Sequence, residues 1–402
     1  MNHFLFSPHR GMRFGAGAIA ASMSVPLAFG ADCTQTSTGL VPLPQLSTGL
    51  YLGQFQGGLY PNGSNDLPPP HRAVGVNRGW AVTPRLPSGQ PSIDGKYVLL
   101  SIGMSNTAQE FCGGGAGCTP WSFVGQAQDE PAVDDSQLVI VNGAAGGQTA
   151  GTWDSPTDPN YDRVRDDVLA PQGLSEAQVQ VAWVKVANAA PSVGLPDPGA
   201  DAYALLAQMG DVVRAIRVRY PNIRQVYLSS RIYAGYASTP LNPEPFAYES
   251  GFAVKWLIEA QIAQMAGGPI DPIAGDLDYE GVAPWLAWGP YIWADGLEAG
   301  PSGLTYACAD FQSDGTHPSQ SGQEKVADRL LGFMLSSPTS VSWFRADGGP
   351  NPADLDGDWN AGGGDLGLLL NQWGPCGDCP ADYNGDGIVN GADLGFLLFH
   401  WD

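Results

Sequence analysis

The chain has 402 residues, enough for two or three domains and a substantial core. Its 40 acidic against 18 basic side chains give a formal charge of −22, which excludes nucleic acid or an anionic lipid surface as a partner, since both demand a basic face. Charged residues are 14% and the hydrophobic set 43%, which excludes wholesale disorder, while 54 Gly and 34 Pro predict many turns.

Residues 1–30 open with a head charged only by Arg10 and Arg13, continue through an apolar and small-residue run from Phe14 to Phe29, and close on Gly30-Ala31-Asp32. That is the pattern of a secretory signal peptide cleaved near Ala28–Ala31. Ser22, Ser24 and Pro26 interrupt the run, so it is too short to anchor in a bilayer. No later segment is apolar enough to span a membrane, and a secreted or cell-surface protein is expected. Export gives meaning to the six cysteines, which all follow the signal. Proximity suggests Cys112–Cys118 and Cys376–Cys379, leaving Cys33 for Cys308. Zinc at the Cys376/Cys379 pair is disfavoured because no second pair of ligands lies beside it.

Residues 31–92, with Pro68-Pro69-Pro70, read as an irregular Pro/Gly-rich arm carrying one or two edge strands. A clearer alternation follows over 93–337. Short apolar runs at Tyr97–Ile102, Leu138–Val141, Val179–Val186 and Val226–Leu228 have the character of parallel strands buried on both faces. Helical spacing marks Asp201–Tyr220, Phe252–Met265 and Ser319–Leu335. Strands alternating with helices imply a three-layer α/β/α domain with a mainly parallel sheet, whose site lies at the carboxyl ends of the strands.

The residues at those ends are suggestive. Ser105 follows the first strand in Gly103-Met104-Ser105-Asn106, Gly147 lies in the Gly-rich turn after the second, and Asn188 follows the third. Arg231, after the fourth, is open to a salt bridge or to an anionic or hydroxylated substrate. Trp285, Trp288, Tyr291 and Trp293 could be core or a sugar-stacking wall. Beyond the signal only His71, His317 and His400 remain, and His317 stands three residues after Asp314, where a carboxylate can orient an imidazole.

Residues 338–352 read as a linker. Beyond it the chain repeats with a period of 28: Asp354-Leu355-Asp356-Gly357-Asp358 is answered by Asp382-Tyr383-Asn384-Gly385-Asp386, and Trp373 by Trp401. A hard divalent cation takes oxygens from alternate positions of such a loop. The second repeat offers Asp382, Asn384, Asp386, the Ile388 carbonyl, Asn390 and Asp393, with Gly387 at the sharp turn. The first offers Asp354, Asp356, Asp358, the Asn360 carbonyl and Asp365. Trp359 occupies its turn position and Gly362 brings no oxygen, so weaker binding is expected there. A structural Ca2+ would balance the ten Asp that follow Arg345, a stretch without Lys or Arg.

The order Ser, Gly, Asn, Asp-x-x-His across residues 95–336 resembles the SGNH (GDSL-like) hydrolases. The resemblance implies a flavodoxin-like fold and a serine esterase using Ser105, His317 and Asp314. Ser105, Gly147 and Asn188 would form the oxyanion hole, and the chemistry would need no cofactor. Met104 stands where that family has Asp, and Val186-Ala187-Asn188 matches its third block through Asn alone. Residues 353–402 resemble a type I dockerin, a small all-α module of paired EF-hand-like loops. That resemblance implies a cohesin-like partner and, by association, an acylated polysaccharide substrate. Gly363-Gly364 and Gly391-Ala392 lack the hydroxyl pairs common in cellulosomal dockerins. The rival reading is a non-catalytic extracellular binding protein on the same fold.

Overall fold

The computed structural model describes residues 30–114, 117–376 and 379–402. The expected signal peptide, save its last residue, lies outside the described residues. Five parallel strands form the central sheet: β1 Tyr97–Gly103, β2 Leu138–Asn142, β3 Val179–Lys185, β4 Gln225–Leu228 and β5 Trp285–Trp288, in the order β2-β1-β3-β4-β5. Along β1 the side chains alternate between two cores. Val98, Leu100 and Ile102 join one cluster, and Tyr97 and Leu99 the other.

The helices of at least seven residues are α1 Pro69–Trp80, α2 Ser105–Cys112, α3 Phe123–Asp129, α4 Asp201–Arg219, α5 Phe246–Met265, α6 Gln320–Ser336, α7 Gly363–Asn371 and α8 Gly391–Phe399. Leu205, Met209, Val212 and Ile216 of α4 and Leu257 and Ile258 of α5 bury one face of the sheet. Phe111 of α2, Phe123 of α3 and Val326, Leu330 and Met334 of α6 bury the other. The molecule therefore has the three-layer α/β/α architecture, with connections that return each strand parallel to the last.

Three features depart from the sequence reading. The arm contains the 12-residue helix α1, with Pro69 and Pro70 in its first turn, where proline costs nothing. Its glycines serve close approach: a Cβ on Gly75 would lie 2.2 Å from the Trp285 ring. The Trp285–Trp288 run is the fifth strand and not a sugar-stacking wall; Trp285, Trp288 and Trp293 are all buried. Trp285 Nε1 donates to the His71 carbonyl at 3.1 Å, so α1 covers an edge strand that would otherwise be open. Within the expected linker, Val341–Phe344 forms a helical turn whose Trp343 and Phe344 are buried.

All three cysteine pairs are disulfides: Cys33–Cys308, Cys112–Cys118 and Cys376–Cys379. The C-terminal repeats are not wholly helical. α7 and α8 are joined by a two-residue antiparallel ladder, Gly374–Pro375 with Ile388–Val389. No described helix is long and apolar enough to cross a membrane.

Candidate active site

β1 ends at Gly103, and the chain turns through Met104 so that Ser105 is the first residue of α2. The turn is tight enough that a Cβ on Gly103 would lie 2.3 Å from the Lys185 carbonyl oxygen and 2.4 Å from Thr107 Oγ1. Thr107 Oγ1 donates to that same carbonyl at 2.6 Å, fastening α2 to the end of β3. As the first residue of a helix, Ser105 has a backbone N–H without an intrahelical acceptor.

The loop before α6 is held from three sides. Ala31 N donates to the Ser313 carbonyl at 2.7 Å, and Asn106 Nδ2 to the Thr316 carbonyl at 3.0 Å. Gly315 takes a left-handed conformation, φ 66°, in which a Cβ would sit 2.0 Å from the Tyr236 carbonyl oxygen. This anchoring brings together the three residues expected to act as a unit. Ser105 Oγ lies 2.8 Å from His317 Nε2, and His317 Nδ1 lies 2.5 Å from Asp314 Oδ2. With Nδ1–H donating to the carboxylate, Nε2 is the acceptor for the serine hydroxyl.

Asp314 Oδ1 accepts the backbone N–H groups of Thr316 at 2.9 Å and His317 at 3.0 Å. Partial burial works to raise the Asp314 carboxyl, but these amides and the imidazole outweigh it and hold it below its ordinary value. The carboxylate thus stays ionised and ready to stabilise an imidazolium.

Ser105, Gly147, Asn188 and His317 line one cavity of about 520 Å³. Because β2, β1 and β3 are neighbours, their following loops converge there. The backbone N–H groups of Ser105 and Gly147 meet no acceptor among the described residues. Asn188 Nδ2 donates to Asp201 Oδ1 at 3.1 Å, which leaves its second amide hydrogen for the cavity. Lys185 does not reach the cavity. It is buried against Glu110 at 2.5 Å, and burial pushes its ammonium down to about 8 against the attraction of that carboxylate. His71 and His400 are tied to the carbonyls of Leu286 and Phe396. Sequence reasoning missed Gly103, Asn106, Thr107 and Gly315, whose roles depend on closeness between distant segments.

In the C-terminal repeats, one oxygen from each of Asp354, Asp356 and Asp358 lies within 4.8 Å of the others. Desolvation and the neighbouring Asp358, Asp365 and Asp354 raise the Asp356 carboxyl, against its bond from the Asp358 amide. The two repeats share one internal wiring. Asp365 takes the amides of Leu355, Asp356 and Gly362, as Asp393 takes those of Tyr383, Asn384 and Asn390. The clustered carboxylates of the first repeat, with no Lys or Arg paired to them among the described residues, suit a hard divalent ion. Asp354, Asp356, Asp358, Asn360 and Asp365 would hold it in one repeat, and Asp382, Asn384, Asp386, Ile388, Asn390 and Asp393 in the other.

No family model matches the chain, and no curated protein matches it. Among solved structures it is similar to a carbohydrate esterase family 2 enzyme with a carbohydrate-binding domain from Corynascus thermopiles (Myceliophthora fergusii). The identity is 12% over 61% of this chain and 68% of that one, with a TM-score of 0.34. It is also similar to a variant of an acetyl-xylooligosaccharide esterase from Geobacillus, at 15% identity, 60% and 96% coverage and a TM-score of 0.32. A salicylyl-acyltransferase from a tetracycline biosynthetic pathway matches at 16% identity, 61% and 56% coverage and a TM-score of 0.31. At TM-scores of this size the meaning of the site rests on its own geometry.

Proposed function

We propose that this chain is a serine ester hydrolase working by acyl transfer. The observation that carries the proposal is the continuous Ser105–His317–Asp314 hydrogen-bond chain, 2.8 Å and 2.5 Å, opening onto a cavity at the carboxyl end of the sheet. In this reading His317 Nε2 takes the hydroxyl proton as Ser105 Oγ bonds to the ester carbonyl carbon. The carbonyl electrons move onto oxygen, where the amides of Ser105 and Gly147 and the free amide hydrogen of Asn188 can meet them. Donors of this kind contribute about 3–4 kcal/mol each. Collapse breaks the ester C–O bond, and the leaving alkoxide receives the proton from His317. Water then gives a proton to His317 as it attacks the acyl carbon, the acyl–Ser105 Oγ bond breaks, and His317 returns the proton to Oγ as the acid leaves. Asp314 holds the imidazole and its transient charge without taking the proton.

The wider reading is that the enzyme is exported by residues 1–30 and deacylates a polysaccharide. The partition into catalytic domain (93–337) and calcium module (353–402) belongs to the same proposal, with the arm (31–92) and the Val341–Phe344 turn of residues 338–352 packed against the domain core. Support for the module is the paired carboxylate wiring of the two repeats. A cohesin-like protein is its proposed partner. Turnover of p-nitrophenyl acetate by the purified chain tests the chemistry. Ser105→Ala is expected to lower kcat/KM by about 10³-fold or more. Equal turnover in both proteins overturns the assignment of the esterase chemistry to Ser105, and turnover in neither leaves the non-catalytic binding protein.

A further inference from the structure

The wall of the same cavity contains a guanidinium that no carboxylate among the described residues pairs with. Arg231 follows β4, is 1% exposed and lines the cavity with Ser105 and His317. Three carboxylates attract it, those of Glu110, Glu244 and Asp314, yet each is already committed. Glu110 is held by Lys185 Nζ through both oxygens, at 2.5 Å each. Glu244 accepts from Ala234 N, Tyr248 N and Trp293 Nε1, and Asp314 from His317. Arg231 forms no ion pair among the described residues, and its Nε and Nη2 are buried without a hydrogen-bond partner.

Unpaired donors on a buried cation are costly, and a folded chain retains them where a ligand completes the set. Nε–H and Nη2–H are also the side-on fork that grips a carboxylate through two parallel bonds. A second open group lies in the same cavity. Asn242 is 2% exposed, its Nδ2 donates to the Asn188 carbonyl at 3.1 Å, and its Oδ1 has no partner. Two residues that line the cavity therefore leave unpaired one side-on guanidinium fork and one amide oxygen.

We infer that the substrate is an ester that carries a carboxylate, gripped by Arg231, and a hydroxyl received by Asn242. An O-acylated uronic acid unit has this chemistry, and so does the half-ester of a dicarboxylic acid. The inference rests on the esterase reading for its word ester, but the anion site stands on Arg231 alone.

The test uses the full exported chain in four arms. The carboxylate on the acyl side is probed with mono-4-nitrophenyl succinate against neutral 4-nitrophenyl butyrate. The carboxylate on the alcohol side is probed by acetate release from acetylated methyl glucuronide against acetylated methyl glucoside. A preference for the charged member of at least one pair is expected. Arg231→Gln should lower kcat/KM for that member about 10–100-fold more than for the neutral member, with partial recovery in Arg231→Lys. Equal loss on both members, or no preference in either pair, overturns the inference. If Arg231→Gln fails to fold, the charge preference of the unaltered chain and of Arg231→Lys decides.

Binding separates this inference from the esterase reading. By calorimetry with Ser105→Ala, D-glucuronate or succinate should bind and D-glucose should bind at least tenfold more weakly. Carboxylate binding with no turnover of any ester would remove the esterase and keep the anion site. Turnover of neutral esters without carboxylate binding or preference would do the reverse.

Discussion

His71 shows how a single buried group makes folding sensitive to acid. Its ring stacks on Trp285, with centroids 4.9 Å apart, and its Nε2 lies 2.7 Å from the Leu286 carbonyl oxygen. Burial pulls the imidazole down to about 4, against that backbone bond, from its ordinary value of 6.5. Between those values the unfolded chain binds the proton and the folded chain does not, so stability falls as pH drops through the window. The full loss is about 3 kcal/mol by pH 4. His71→Phe, which keeps the stack but cannot protonate, should flatten the dependence of the unfolding midpoint between pH 6.5 and 4. An unchanged slope would show that other groups set it.

Among the elements, the two C-terminal turns form an internal comparison. Gly387 takes φ 83° and Trp359, at the matching position, takes φ 77°. A left-handed conformation costs a side chain of this kind about 1–2 kcal/mol and costs glycine almost nothing. Calorimetric titration of the chelator-stripped full chain should therefore show two calcium sites of unequal strength. In an Asp382→Ala background, Trp359→Gly should tighten the remaining site about tenfold. No calcium heat in the unaltered chain would remove the metal reading altogether.

The strands β1 to β4 were legible because each is a short apolar run closed by a turn signal, and Ser105, Gly147 and Asn188 follow from the rule that sites gather at strand ends. α1 was hidden by its prolines and by Gly75 and Gly79, which look like breakers until Trp285 is seen against one of them. β5 was hidden because Trp285 and Trp288 are as plausible on a surface as in a core. The fastening at Gly103, Thr107 and Lys185 has no local signature, since it joins segments far apart in the chain.

For the molecule as a whole, the loop of Asp314 and His317 depends on the far end of the sequence. Cys33 is joined to Cys308 across 275 residues. Ser37, Thr38 and Gly39 donate to the Asp295 carboxylate in the same region. Opening a link of that span releases unfolded-state entropy worth about 5–6 kcal/mol. The double variant Cys33→Ala/Cys308→Ala should lose that much in urea unfolding, whereas removal of Cys112–Cys118, which closes a short loop, should cost less. Equal losses would mean that native-state strain and not loop length governs both.

The bond from Ala31 N to the Ser313 carbonyl has a practical corollary. An affinity tag fused just ahead of Ala31 would emerge beside the Asp314–His317 loop, and one fused after Asp402 would crowd the carboxylate that receives the Ala361 amide. A fluorophore or immobilisation handle belongs instead at Ile93, 86% exposed in the Ser92–Gly95 turn, where it would leave both working regions untouched.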